Sequence, residues 1–202
     1  MTESNSKSGR TTRRFKIPRK VSTTSIESAA LYYLGRYASS SENLRKVLER
    51  KIIRASKYHN TDVKACIQLV EDLIQRYLKN GILNDEAYAQ TQAASMGRRG
   101  KSLRTIRFRL LQKSLPKKII DKTIEALENE IGSPDLPAAI AYARKRRFGP
   151  YRRDVNNLEN LEKELAALAR SGFSYSIALS IVKAKNIDEL EANLKNLVNT
   201  VP

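Results

Sequence analysis

The chain has 202 residues, 41% hydrophobic and 29% charged, with 8 glycines, 6 prolines and no tryptophan; this composition suits one or two small globular cores and excludes a disordered or fibrous chain. Lysine and arginine total 38 against 21 acidic residues, a net charge of +17, and self-repulsion of that size points to a polyanionic partner, nucleic acid ahead of an anionic membrane surface. The single cysteine, Cys66, excludes an intramolecular disulfide framework, and no stretch approaches the roughly 18 consecutive apolar residues of a membrane span.

The first 24 residues, MTESNSKSGRTTRRFKIPRKVSTT, hold seven basic residues, one acid and little that can pack. They predict a disordered basic arm over 1–24. No apolar signal region follows the basic start, so a cytosolic protein without membrane attachment is expected. Without the arm the chain keeps a surplus of +11, so the charge belongs to the folded part as well.

From Ser25 onward the apolar spacing is helical, in helices of about 10–20 residues, and nothing alternates with period two long enough for a strand. The predicted fold class is all-α. Ala29, Tyr33 and Tyr37 recur at four-residue spacing, and in SSSE the pair Ser39 and Glu42 has capping-box spacing ahead of Leu44, Val47 and Leu48. A further amphipathic helix runs through Val63, Cys66, Ile67, Val70, Ile74, Tyr77 and Leu78, stopping at Gly81, which can take the left-handed conformation. Asn84 then fits a helix cap, with Asp85 and Glu86 in the positive first turn and Leu83 placed to staple onto Tyr88. Pro116 and Pro137 each fit the first position of a helix, and Asn186 fits another cap.

Two basic clusters stand out. MGRRGKSLRTIRFRLL, Met96 to Leu111, puts six basic residues and no acid into sixteen positions while carrying Leu103, Ile106 and Leu110 at helical spacing. On a helical wheel these three form a buried stripe, flanked by Arg104 and Arg107 on one side and Arg109 and Lys113 on the other. Long basic side chains can lie along apolar surface with their heads in water, so core packing and a basic rim are compatible. With Arg98, Arg99 and Lys101 the rim is a candidate surface for nucleic acid or an acidic protein. The second cluster, ARKRRFGPYRR, offers Arg144, Lys145, Arg146, Arg147, Arg152 and Arg153 around a Gly-Pro turn. The planar arginine fork suits phosphate or carboxylate. Phe148 and Tyr151 can stack on bases, although aromatics at such spacing more often serve a core.

Catalysis finds little support. His59 is the sole histidine, there is no Cys/His cluster for a metal, and GRRGKS at Gly97 to Ser102 is too short between its glycines for a phosphate loop. No catalytic residue, metal or cofactor is expected.

The order of segments looks tripled. LERKII at Leu48, LLQKSL at Leu110 and LARSGF at Leu168 each close an amphipathic helix, preceded upstream by Ala- and Tyr-bearing helices around Tyr32, Tyr88 and Tyr142. Each span has room for three short helices. RYLKNGILNDEAYA (Arg76 to Ala89), RRGKSLRTIRFRLLQKSL, KRRFG (Lys145 to Gly149) and LARSGFSYSIALSIV (Leu168 to Val182) follow one another in an order that resembles the RecX family of bacterial regulators of the RecA recombinase. The resemblance covers roughly Ser25 to Val198. It implies three tandem three-helix repeats, over 25–82, 83–133 and 134–202, in an elongated, curved molecule that binds the RecA filament on single-stranded DNA and limits its growth and strand exchange. Direct DNA contact and a monomeric state are further expectations. The chain departs from the family pattern where Ser114 and Ile52 replace glycine, and in its longer, more basic arm. Charge alone also fits a general DNA- or RNA-binding helical protein with no recombinase partner.

Overall fold

The structure is a computed structural model and describes residues 17–131, 134–152 and 160–198. Among these residues it contains α-helices, one 3-10 turn and no strand, in agreement with the all-α prediction. The helices are α1 (Thr23–Leu34), α2 (Ser41–Ser56), α3 (Val63–Lys79), α4 (Asp85–Arg98), α5 (Leu103–Gln112), α6 (Lys117–Ile131), α7 (Asp135–Arg146), α8 (Leu161–Arg170), α9 (Tyr175–Val182) and α10 (Ile187–Val198); the 3-10 turn is Gly149–Tyr151. Residues 1–16 of the predicted arm lie outside the described residues. Helix α1 begins at Thr23, two positions before the expected start, because Ser22 and Ser25 form a reciprocal capping box.

Apolar residues collect into three cores. In the first, Ile26 and Ala30 of α1 meet Leu44, Leu48 and Ile52 of α2 and Val70 and Ile74 of α3. Ala89 and Ala93 of α4, Ile106 and Leu110 of α5, and Ile120 and Ile124 of α6 make the second. The third joins Ala139 and Ala143 of α7, Leu168 of α8, Ile181 of α9 and Leu190 of α10. Leu48, Leu110 and Leu168, the recurring leucines of the sequence, sit at 1%, 0% and 0% exposure, one in each core. Full burial of such a side chain is worth roughly 1.5–3 kcal/mol. Ion pairs tie helices within the first two groups: Arg76 of α3 to Glu27 of α1 at 2.7 Å, and Lys122 of α6 to Glu86 of α4 at 3.3 Å.

The local signals hold at Gly81, which has φ +70, at Asn84, whose Oδ1 accepts the Ala87 N–H at 2.9 Å, and at Asn186, which accepts the Glu189 N–H at 2.8 Å. Others are corrected. Ser40, not Ser39, caps α2, its hydroxyl accepting the Asn43 N–H at 3.3 Å; Glu42 instead pairs with Arg45, which reaches on to Glu71 of α3 at 2.7 Å. Pro137 is the third residue of α7, still within the first turn, where no intrahelical acceptor is needed. Leu83 is buried in the first core, whereas Tyr88 packs against the second. The span from 134 holds four helices, not three. Where Ile52 replaces glycine it is a buried residue inside α2, which runs on to Ser56; Ser114 keeps the glycine-like backbone at φ +57.

The junctions between groups repeat the same chemistry. At the first, the Ser40 hydroxyl donates to the Lys113 carbonyl at the end of α5 (2.7 Å), and Asp85 of α4 accepts the Ser41 N–H at the start of α2 (2.7 Å). At the second, the Ser102 hydroxyl donates to the Ser171 carbonyl at the end of α8 (2.7 Å), and Asp135 of α7 accepts the Leu103 N–H at the start of α5 (2.7 Å). Each junction thus satisfies orphan groups at one helix's amino end and another's carboxyl end.

Candidate functional site

The turn between α4 and α5 carries the first cluster. Gly100 there has φ +73, and a Cβ would come within 2.9 Å of the Ala138 carbonyl and 3.0 Å of the Tyr142 nitrogen. Glycine therefore lets the turn press onto α7, while Arg98, Arg99 and Lys101 on either side of it stay exposed. Along α5, Ile106 and Leu110 are buried and Leu103 is partly buried, as the stripe requires. The rim is not uniform. Arg104, Arg109 and Lys113 are exposed, with Arg109 Nη1 donating to Gln112 Oε1 at 3.2 Å, but Arg107 is held in an ion pair with Asp121 of α6. Among the described residues, Arg98, Arg99, Lys101, Arg104 and Lys113 form no ion pair.

Sequence reasoning missed two apolar members of this surface. Phe108 is 58% exposed and Leu111 51% exposed on α5. Their signal was available: both fall off the Leu103, Ile106 and Leu110 stripe, leaving an aromatic and a leucine among arginines on the outer face.

The second cluster divides. Arg144, Lys145 and Arg146 end α7 and Arg147 caps it at φ +60, all four exposed. Cations there also suit the negative carboxyl end of the helix. Arg144 lies 5.6 Å from the Tyr151 ring centroid and Arg146 lies 5.8 Å from that of Tyr142. Phe148 and Tyr151 pack against the third core, so the core reading of these aromatics prevails.

Arg152 does not belong to the exposed cluster. Its Nε and Nη2 donate to the two carboxylate oxygens of Glu164 at 2.8 and 2.7 Å, with the side chains only 8% and 6% exposed. The hydrogen bonds to Glu164 hold the Arg152 proton more tightly than usual, outweighing the opposing effect of burial. Glu164 also accepts the Gly149 N–H at 3.0 Å. Gly149 has φ +57 and presses against the Ile181 carbonyl, where a Cβ would overlap it. KRRFG therefore ends in a structural lock. Arg153 lies outside the described residues.

Tyr142 brings the two clusters into one neighbourhood: its backbone nitrogen abuts Gly100 in the first, and Arg146 of the second lies over its ring. His59 has a structural contact, Nε2 donating to the Pro18 carbonyl at 2.7 Å. Among the described residues no group of three or more His, Cys, Asp or Glu side chains could hold a metal, and no helix is long and apolar enough to cross a membrane.

The fold and this surface define a class: a small, all-helical, strongly basic protein that carries one set of unpaired cations on an interhelical turn and the helix ends beside it. No family model matches the chain. It is similar to Regulatory protein RecX of Myxococcus xanthus (strain DK1622), 42% identical over 168 residues that cover 83% of this chain and 89% of the relative. Regulatory protein RecX of Agrobacterium fabrum (strain C58) is 34% identical over 81% of this chain and 84% of its own. That of Lactococcus lactis subsp. lactis (strain IL1403) is 28% identical over 86% of this chain and 60% of its own. The chain belongs to the RecX family of regulatory proteins. No solved structure matches it.

Proposed function

We propose that this protein regulates the RecA recombinase in the cytoplasm, binding the RecA filament on single-stranded DNA and limiting filament growth, ATP hydrolysis and strand exchange. The observation that carries this reading is the likeness to proteins named Regulatory protein RecX over most of the chain. The exposed cations of the α4–α5 turn, the flanking α5 rim and the end of α7 supply the contact surface, arginine forks engaging acidic patches of the filament, its phosphates, or both. Phe108 and Leu111 add apolar area to the same face. The protein acts by binding and needs no catalytic group, cofactor or metal. The repeated junction contacts support a reading as three tandem units over 25–82, 83–133 and 134–202.

Pull-down with purified RecA, with and without single-stranded DNA and nucleotide, tests this. Retention that requires RecA, and a fall in RecA's DNA-dependent ATP hydrolysis, are expected. Equal retention by DNA alone, with RecA's hydrolysis untouched, would replace the reading with that of a general nucleic-acid binder.

A further inference from the structure

A cavity of about 1000 Å³ opens on the first group of helices, between the segment from Ile17, α1 and α2. It is remote in sequence from both basic clusters. Its second wall is one face of α2, where Arg50, Lys51 and Arg54 follow one another at helical spacing, and Arg19 faces them from the leading segment. All four are exposed, none forms an ion pair among the described residues, and no carboxylate lines the cavity. The amino end of α1 opens onto it with no acid in its first turn, adding partial positive charge. His59, by holding the Pro18 carbonyl, fixes the leading segment as a wall.

Two features select the kind of anion. Arg50 and Arg54 are one turn apart, about 6 Å along the helix axis, close to the separation of neighbouring phosphates on one strand. Tyr32, at the cavity's rim, is 64% exposed, and Arg36 lies 4.6 Å from its ring centroid, leaving the other ring face available. Cations in register with phosphates beside an exposed aromatic ring make a platform for a backbone and an unstacked base; an acidic peptide would use the cations but not the ring. Thr24 and Ser28 line the same cavity and add hydroxyl donors.

We infer that this groove binds a short segment of single-stranded nucleic acid, Arg50 and Arg54 holding consecutive phosphates and Tyr32 stacking on a base. The inference goes beyond the recombinase reading and needs no RecA.

The test is fluorescence anisotropy of labelled oligo-dT with the full chain, over a range of salt concentrations, for the parent, Arg50→Ala/Arg54→Ala and Tyr32→Ala, with folding checked by circular dichroism. Loss of two phosphate contacts should flatten the log-log salt slope by about 1.4. Tyr32→Ala should weaken binding about five-fold or more with the slope retained. Parent-like binding by both variants overturns the inference. So does a groove that binds poly-glutamate in an Arg50- and Arg54-dependent way while oligo-dT binding ignores these residues. RecA retention is measured on the same variants: oligo-dT binding through the groove with no RecA effect from the parent leaves this inference standing and sinks the recombinase reading.

Discussion

The Ser102 hydroxyl donates to the Ser171 carbonyl at 2.7 Å across 69 positions of chain, and the next residue, Gly172, leaves the space that permits it. Gly172 has φ +91, and a Cβ there would lie 2.5 Å from Ser102 Oγ. One residue thus serves two ends, since Ser102 also accepts the Thr105 N–H at 3.2 Å as the cap of α5.

Ser102→Ala is therefore expected to cost about 1 kcal/mol, through the lost cap; the Ser171 carbonyl keeps the Thr105 hydroxyl, which donates to it at 2.9 Å. Gly172→Ala should cost about 2 kcal/mol or more, because left-handed backbone strain adds to the overlap. Ser114→Gly should do the opposite and gain about 0.5 kcal/mol, since Ser114 already holds φ +57 and relief of strain exceeds the added freedom of the unfolded chain. Urea unfolding of the three variants checks this; a stabilising Gly172→Ala would refute the packing account.

Arg152 and Glu164 form the buried pair on which the KRRFG turn rests. Removing one partner, as in Glu164→Ala, leaves a buried charge and an unpaired Gly149 N–H, with an expected loss of about 3–5 kcal/mol. Lys145→Ala, a few residues away and exposed, should change stability by about 0.5 kcal/mol or less. Arg152→Met/Glu164→Leu should recover part of the loss but not all, because Gly149 still lacks its acceptor. Thermal unfolding of the series reads out the coupling.

Asp135 gives the second junction a pH dependence. Burial raises its pKa above the ordinary 3.8, against a smaller lowering by the Leu103 N–H. A raised carboxyl pKa means that the folded state binds the proton more tightly, so this group favours folding below pH 3.8 and that contribution is lost as pH rises through the folded value. Asp135→Asn keeps an acceptor for Leu103 without the titration. Its stability relative to the parent should therefore increase from pH 3.5 to pH 7, a range set around that pKa; a flat or falling difference would contradict the burial assigned to Asp135.

The basic rim and the core beneath it should separate in function. Arg98→Ala/Arg99→Ala/Lys101→Ala should weaken association with the RecA–DNA filament while each change costs about 0.5 kcal/mol or less of stability. Leu110→Ala, at 0% exposure, should lose roughly 2–5 kcal/mol of folding stability, and inhibition should fall only as the fold fails. Filament binding and unfolding of both variants at matched salt provide the measurement.

The sequence by itself determined the helical periodicity, the three buried leucines and the caps at Asn84 and Asn186, though not the number of helices after residue 134. Each of these depends on neighbours within one or two turns, and that is the range over which residue spacing carries physical information. The all-helical class follows from the same short-range periodicity, and the charge excess from composition alone. Only the tertiary structure decided which cations are free. Arg104 and Arg107 are alike in sequence, yet Asp121 on another helix takes Arg107 out of the free set. Arg152 belongs to a run of arginines, yet Glu164 buries it. Ser40 displaced Ser39 as a cap while also reaching the Lys113 carbonyl 73 residues away. Asp135 reads as an ordinary first-turn acid until it meets Leu103, 32 residues before it. Pairings over such separations depend on how the helices dock, which is set by core volume and backbone approach at Gly100, Gly149 and Gly172; local spacing fixes where a side chain points on its own helix but not what stands opposite.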